Sequence, residues 1–505
     1  MGWIDSLNGR LGFVQFRGRP EGQGRTERGT KRLEQLGVIA ADDKKPLEQK
    51  DIIRRSQLEL YDSYYEGRAY DHLPAWEDCV KSKTYVPIRQ RRPRINFNLV
   101  RLLATRVAGK TVGKQNFPSF KNPLDPDYEQ YIRSLMRVTN FRFHMVEPTR
   151  RLYAAGSVFV RFFLRGGQIH YEHYLSKYVH PIFGDDGEPE AVRIQYVFED
   201  HNDLDKDARP RLKWFRLDLG KFVDISYDTP LYGDDKKPEF QEVARADHNL
   251  GIVQGEWLRT SFDKHSPDGE SLFCDVLGFV DSLSYSLSQT DMAVEYNQDP
   301  QLWFKGMTED EITDVVRSAT KSWNLGKEGE SGFLETTLTG VQRAEEVRDK
   351  MRLHIGDLTR IVMMDPEKMV TSAQSGKALE ILHGPFVELI HDIQPTIERS
   401  FVKLITKVGL VVLTVNNMGG PVPIMIPAGF RPKSLDLQAK WPNVFPVTIE
   451  DMQKKVGVVL QLTNGSIFSR EWGLEYLAED FGVENLELEK QRVATQPIIN
   501  PFGAF

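Results

Sequence analysis

Residues 107–114 read VAGKTVGK, and Gly109-Lys110-Thr111 has the residue types that close a phosphate-cradling loop. Such a loop follows G-x-x-x-x-G-K-[ST]: glycines turn backbone N–H groups toward the phosphates, Lys reaches them and Ser/Thr holds magnesium. With Gly109 as the second glycine, the first falls at position 104, which is Ala104. A buried strand should precede the loop. Here Phe97, Val100, Leu103, Ala104 and Val107 recur at spacings of three and four, which predicts a helix. The acidic partner is missing too, since YVFED at 196–200 alternates. The GKT therefore reads as a helix end, with Gly109 as C-cap and Lys110 near the negative end of the dipole.

Other chemistry is equally thin. His170 and His173, with His180 nearby, suggest a metal site, but residues i and i+3 of a strand point to opposite faces, which makes them surface or interface histidines. Ser372, Ser375 and Lys377 do not form S-x-x-K, because position 374 is Gln374, and no G-x-S-x-G elbow occurs. No carboxylate pair has a spacing that demands acid–base chemistry. The expectation is a protein without catalytic residues, metal or cofactor.

The elements around these residues carry more information. The chain has 505 residues, 40% hydrophobic and 27% charged, an ordinary composition for two or more domains. Its two cysteines, Cys79 and Cys274, lie far apart, so neither a disulfide framework nor a thiolate zinc site is expected. No signal peptide is expected from MGWIDSLNGRLG, and the uncharged run Val408–Phe430 holds too many Asn, Gly and Pro residues for a membrane span.

Net charge is −6, yet no acidic residue lies between Val80 and Leu124, a stretch that includes Arg89, Arg91, Arg92, Arg94 and Arg101. The C-terminal region is acidic, with Glu471, Glu475, Glu479, Asp480, Glu484, Glu487 and Glu489. The basic band admits three readings: a solvated face, a contact between subunits, or a contact with DNA or scaffold.

Residues 1–45, rich in Gly, Arg and Gln, read as a flexible arm. Helices are expected from about Leu47 to Gly67, over 95–108 and over 127–140. From Ala155 the period changes to two, and SVFVRFFL, Gly166-Gly167 and QIHYEHYL predict a hairpin. AVRIQYVF and RLKWFRLDLGKFVDISY extend one antiparallel sheet. Leu272, Val276, Val280, Leu283 and Leu287 then line a helix running to about Asn297. QLWFKGM, a helix opened by the capping box Thr308-x-x-Glu311, and GFLETTL form a small β-α-β module. A second long helix covers 341–364, and another 377–415 with kinks at Pro385 and Pro395. Two or three helices follow Phe445, with Thr448 and Ser469 as caps.

This order resembles the portal proteins of tailed bacteriophages. The resemblance rests on YDSYYEGRAY (61–70), RINFNLVRLLATRVAGKTVGK (94–114), YAAGSVFVRFFLRGGQIHYEHYLSKYVHPIFGDDGEPEAVRIQY (153–196), GESLFCDVLGFVDSLSYSLSQTDMAVEYNQDPQLWFKGM (269–307) and SAQSGKALEILHGPFVELI (372–390). It implies an α+β, mainly helical fold. In it, 46–270 form a wing with an antiparallel sheet, 271–297 and 341–364 the stem helices, and 298–340 the clip. Residues 365–376 form a tunnel loop, 377–444 a kinked helix with a return to the wing, and 445–495 a crown. The arm 1–45 and the tail 496–505 match nothing in the family.

The resemblance further implies a ring of about twelve copies around a channel at one capsid vertex, through which double-stranded DNA is packaged and ejected without sequence readout. Implied partners are the large terminase, a head-tail adaptor, and the major capsid and scaffolding proteins, with no membrane. The implied place is the virion, after assembly in the bacterial cytoplasm. The tunnel loop would be Glu367, Lys368, Met369, Val370, Thr371, Ser372 and Gln374. Trp303, Lys305, Glu309, Asp310, Lys327 and Glu328 would dock terminase or adaptor. A loop with one acid, one base and neutral neighbours suits a channel that must not grip DNA, since each phosphate contact adds a salt-dependent barrier to sliding. Two other classes stay open: a packaging ATPase or nuclease, which needs a complete P-loop or an acidic metal cluster, and a monomeric head-assembly adaptor that binds through its acidic C-terminal helices.

Overall fold

A computed structural model describes residues 49–495 apart from 82–83, 185–186, 205–209, 231–240, 249, 263–265, 299–300, 306–329, 335–338, 362–382, 428, 445–448, 466, 479–482 and 484–485. The fold is α+β, with antiparallel sheets among helices. The chain divides into two compact units, residues 1–363 with 389–442, and residues 364–388 with 443–505.

The larger unit opens with α1 (Gln49–Glu66), α2 (Trp76–Lys81) and α3 (Leu99–Thr111). Asn98 caps α3 by accepting from the Arg101 N–H at 3.3 Å. Of the expected α3 stripe Val100, Leu103, Ala104 and Val107 are buried, whereas Phe97 lies before the helix and is half-buried. Its end differs. The helix runs past Gly109 to Thr111, with Val112 as C-cap, so Gly109 lies inside the last turn. The extra turn is held by Thr111, whose hydroxyl donates to the Val107 carbonyl at 3.2 Å and accepts from Tyr153 Oη at 2.7 Å.

After β1 (Ser119–Lys121) come α4 (Pro126–Val138) and α5 (Phe141–Ala155). Asp125 caps α4 by accepting from the Tyr128 N–H at 3.1 Å, with proline in the first turn. Helix α5 is absent from the sequence reading because Pro148 interrupts the pattern, yet the helix continues through it. It stops at Gly156 (φ +87°), where a Cβ would come within 2.2 Å of the Gly269 carbonyl oxygen. Glycine is required there by conformation and by contact alike.

Two sheets, not one, follow. β2 (Ser157–Arg165) and β3 (Gln168–Leu175) form the expected hairpin, Arg165 opposite Gln168, with both glycines of the turn at positive φ. β4 (Val179–Phe183), β5 (Pro189–Leu204), β6 (Pro210–Gly220), β7 (Val223–Pro230) and β8 (Gln241–Asp247) form a five-stranded antiparallel meander. β9 (Gly255–Arg259) leaves the meander and pairs with the far edge of β2. The sheets share one core of Phe159, Val179, Val192, Ile194, Leu217, Leu219, Val253 and Trp257. Burying each such side chain contributes roughly 1.5–3 kcal/mol.

The chain then runs through α6 (Leu277–Gln298), the antiparallel ribbon β10 (Gln301–Lys305) and β11 (Glu330–Leu334), and α7 (Thr339–Thr359). The capping box Thr308-x-x-Glu311 between the strands lies outside the described residues. Helix α8 (Gly384–Asn417) follows. Pro395 is interior to it, whereas Pro385 stands in its first turn, where the missing N–H breaks no helical bond. Among the described residues α8 is the one helix long and apolar enough to cross a membrane. Its apolar side is core: Ile397, Phe401, Leu404, Ile405, Val408 and Val412 are fully buried. Phe401 stacks on Phe117, and Tyr131 donates to the Gly409 carbonyl at 2.8 Å. β12 (Gln438–Lys440) returns to pair with β1.

The smaller unit contains α9 (Ile449–Asn464), α10 (Arg470–Ala478) and α11 (Leu486–Thr495). Ser469 caps α10, accepting from the Trp472 N–H at 3.1 Å, as the sequence suggests; Thr448 lies outside the described residues. Phe468, Trp472 and Tyr476 stack with centroids 4.3 and 5.1 Å apart.

Candidate assembly surface

The α6–ribbon–α7 excursion is the most distinctive feature of the larger unit, and its root is built from polar side chains. Asp281, Ser284, Tyr285 and Ser288 fall at i, i+3, i+4 and i+7 on α6, one face of the helix, and all four are buried. Ser284 and Ser288 accept from the Phe97 and Ile95 N–H groups at 3.3 and 3.0 Å. Tyr285 donates to the Arg91 carbonyl at 3.0 Å. Tyr64 donates to Asp281 Oδ1 at 2.7 Å, and Tyr70 donates to the same oxygen. The extended segment before α3 is thus clamped to α6 through its otherwise unpaired N–H groups.

Asp281 is completely buried, and its Oδ2 has no hydrogen-bond partner among the described residues. Burial pushes its carboxyl up to about 7, against the two tyrosine hydroxyls and Arg89, which favour the charged form. Burial and Asp281 together push both Tyr64 and Tyr70 upward. The sequence reading followed the apolar stripe of this helix and missed the polar one. Its signal is a helical spacing of Asp and Ser inside an apolar segment.

Farther out, the pair of helices is poorly covered. Among the described side chains of α7, Ile355 and Thr359 are the buried ones. Val347, Leu353 and Leu358 of α7 are exposed, as are Val294 and Tyr296 on α6. In the ribbon, Trp303 lies opposite Gly332, where a Cβ would meet the indole at 2.9 Å. Lys305 pairs with Glu330 at 3.0 Å, and both side chains are exposed. Trp303 and Lys305 therefore share the ribbon, while Glu309, Asp310, Lys327 and Glu328 lie outside the described residues, as do Glu367, Lys368, Met369, Val370, Thr371, Ser372 and Gln374.

Two of the five arginines named in the basic band, Arg92 and Arg94, pair with carboxylates of the same chain. Arg94 contacts Glu77, Asp291 and Glu295 at 3.1, 3.3 and 2.5 Å. Arg91 is buried between the Trp76 and Tyr85 rings, and its Nε donates to the Val86 carbonyl at 2.9 Å. Arg92 pairs with Asp71 at 2.9 Å, Arg101 lies over Tyr65, and the Arg89 carbonyl accepts from Tyr285. Two of these ties, through Arg94 and Tyr285, fasten the band to α6.

His170 stacks on Phe163 while His173 lies opposite Val160, and both are exposed. No group of three or more His, Cys, Asp or Glu placed to hold a metal occurs among the described residues.

No protein-family model matches the chain, and no curated protein matches it. Among solved structures, a chain of the virion of a native gene transfer agent particle is similar at 10% identity, with 75% of this chain and 89% of that chain covered and a TM-score of 0.37. A chain of the neck of the native particle, computed with C12 symmetry, matches at 9% identity over the same shares, also at 0.37. Likeness at that level supports no assignment of fold or function.

Proposed function

We propose that this chain is a structural subunit of a phage-like head-to-tail connection, and specifically a portal-type protein. Copies assemble into a closed ring of about twelve around a channel for double-stranded DNA. The observation that carries this reading is the α6–ribbon–α7 excursion. Its root is locked into the wing by buried polar side chains, while its outer length leaves Val294, Tyr296, Val347, Leu353 and Leu358 uncovered. A helix pair of that kind is complete only when neighbouring copies cover it.

In the assembled ring α6 and α7 line the channel wall, and Trp303 and Lys305 stand at the end that receives a packaging enzyme or adaptor. The loop from 365 to 376, with Glu367, Lys368, Met369, Val370, Thr371, Ser372 and Gln374, forms the constriction. The function is positional, not catalytic.

Negative-stain electron microscopy of the purified chain, with mass photometry alongside, tests the reading. Top views with a central hole and a mass near twelve copies are expected. A uniform particle of one copy, in solution and on a capsid scaffold alike, overturns it.

A further inference from the structure

Arg259, at the end of β9, and Arg399, on α8, have their guanidinium carbons 4.3 and 4.6 Å from the centroid of one ring, Phe262. Arg259 also lies over Phe183 at 5.2 Å. Its Nε is buried without a hydrogen-bond partner among the described residues. The nearby carboxylates are already shared with other cations. Glu188 is held by Lys403 and lies 3.6 Å from Arg399, Glu256 accepts from Lys407 at 2.6 Å, and Asp268 pairs with Arg54 at 2.5 Å. Leaving the Arg54–Asp268 pair aside, four cations (Arg259, Arg399, Lys403, Lys407) face two carboxylates (Glu188, Glu256), an excess of two positive charges among the described residues. Burial, and then repulsion from Arg399, hold Arg259 below the usual arginine range.

Two guanidiniums stacked on one ring present their N–H edges as forks, and a fork fits a two-oxygen anion. The ring itself is 50% exposed. Arginine beside an exposed aromatic is the composition of a protein interface centre. A nucleic-acid track needs cations in series along many phosphates, and this patch has an excess of only two. We infer that Arg259 and Arg399 form a receptor for a side-chain carboxylate of a second copy of this chain. The inference rests on the ring reading above, and it assigns one contact within that ring.

Full-length wild type, R399Q, R399K and R259Q/R399Q are compared by mass photometry over chain concentration, with sodium chloride and inorganic phosphate at matched ionic strength. The concentration for half assembly is expected to rise at least about tenfold in the double variant, with R399K between, because lysine lacks the fork. Phosphate, competing for the fork, should weaken wild-type assembly beyond chloride and leave the double variant unaffected. Arg399 is half-exposed, so R399Q decides the matter if circular dichroism shows the double variant unfolded. Equal assembly and equal phosphate response of a multi-copy wild type and its variants overturn the inference and leave the ring reading standing. A single-copy wild type overturns the ring reading itself. Binding of a duplex DNA that the double variant loses, with assembly unchanged, overturns the carboxylate in favour of a phosphate.

Discussion

Where α1 meets α5 and the β2–β3 hairpin, charges are buried; along the outer half of α6 and α7, apolar side chains are exposed. In the first region Lys177 sits just after β3 and donates to Glu59 at 2.7 Å and to Asp62. Arg151 on α5 reaches Asp62 at 2.8 Å and Glu66 besides, while its guanidinium stacks on Tyr65 at 4.3 Å. Burial alone would lower Lys177, but Asp62 and Glu59 overcome it and hold the ammonium charged. Every costly group there has its partner in the same chain. In the second region Leu353 is 64% exposed although it sits on a helix 21 residues long. The contrast separates what the chain completes alone from what it leaves uncovered. Substitutions at four places break or sharpen that contrast, one of them read through a pH series.

The largest expected effect is Lys177→Met. It strands Glu59 and Asp62 with less compensation in a buried site, which costs about 3–5 kcal/mol. Thermal or denaturant unfolding of the variant should show a loss of that size, and Glu59→Gln added to it should recover part. A loss below about 1 kcal/mol would mean the network is wetter than its burial implies.

Next comes Asp281, the polar root of the exposed pair. Its carboxyl is raised from 3.8 to about 7 in the fold, with burial as the first cause. Below the unfolded value, near 4, both states are protonated and stability is full. As pH rises from about 4 to about 7 the unfolded state ionises and the folded one resists, so stability falls, by roughly 4 kcal/mol in all at about 1.4 kcal/mol per pH unit. Above about 7 this contribution levels off. Asp281→Asn keeps an acceptor for Tyr64 and Tyr70 and should flatten this slope. An unchanged slope in the variant would assign the pH dependence to other groups.

The third test moves to the exposed region. Leu353→Asp or Leu358→Asp removes no buried contact, so the stability of the single chain should move by no more than about 0.5 kcal/mol. Assembly, followed by mass photometry, should fail. If both variants assemble normally, the exposed stripe is not the contact between copies.

Much of this arrangement is legible in residue order, and the exceptions have physical reasons. The β2–β3 hairpin is readable because Gly166-Gly167 supplies the two positive φ values that its turn needs. Helix α5 is hidden by Pro148, which tertiary packing around Phe141, Met145 and Leu152 overrides. Gly109 imitates a C-cap, but the Tyr153 hydroxyl on Thr111, 42 residues away in sequence, favours another turn. The split into two sheets turns on β9 choosing β2 over β8, a long-range pairing that periodicity does not encode. Of the candidate sites, the ribbon position of Trp303 and Lys305 follows from alternation. The Arg259–Phe262–Arg399 patch leaves no trace, because its arginines are far apart in sequence and meet only through α8. The basic band is visible as composition, while its pairing with Asp71, Glu77, Asp291 and Glu295 is visible only in three dimensions.

The smallest expected effect is the most useful discriminator at the ribbon. Lys305 and Glu330 are 72% and 62% exposed, and an ion pair in that setting contributes about 0–1 kcal/mol and is screened by salt. Lys305→Ala should therefore leave both the melting transition and assembly unchanged. Trp303→Ala in the same strand uncovers Gly332 and should loosen the ribbon modestly. If the ribbon is a docking end, Lys305→Ala in assembled protein weakens capture of a packaging enzyme or adaptor, most clearly at low salt. The same loss at low and high salt would point to Trp303 packing as the main contact. No loss with either variant would place the docking contact on residues other than Trp303 and Lys305.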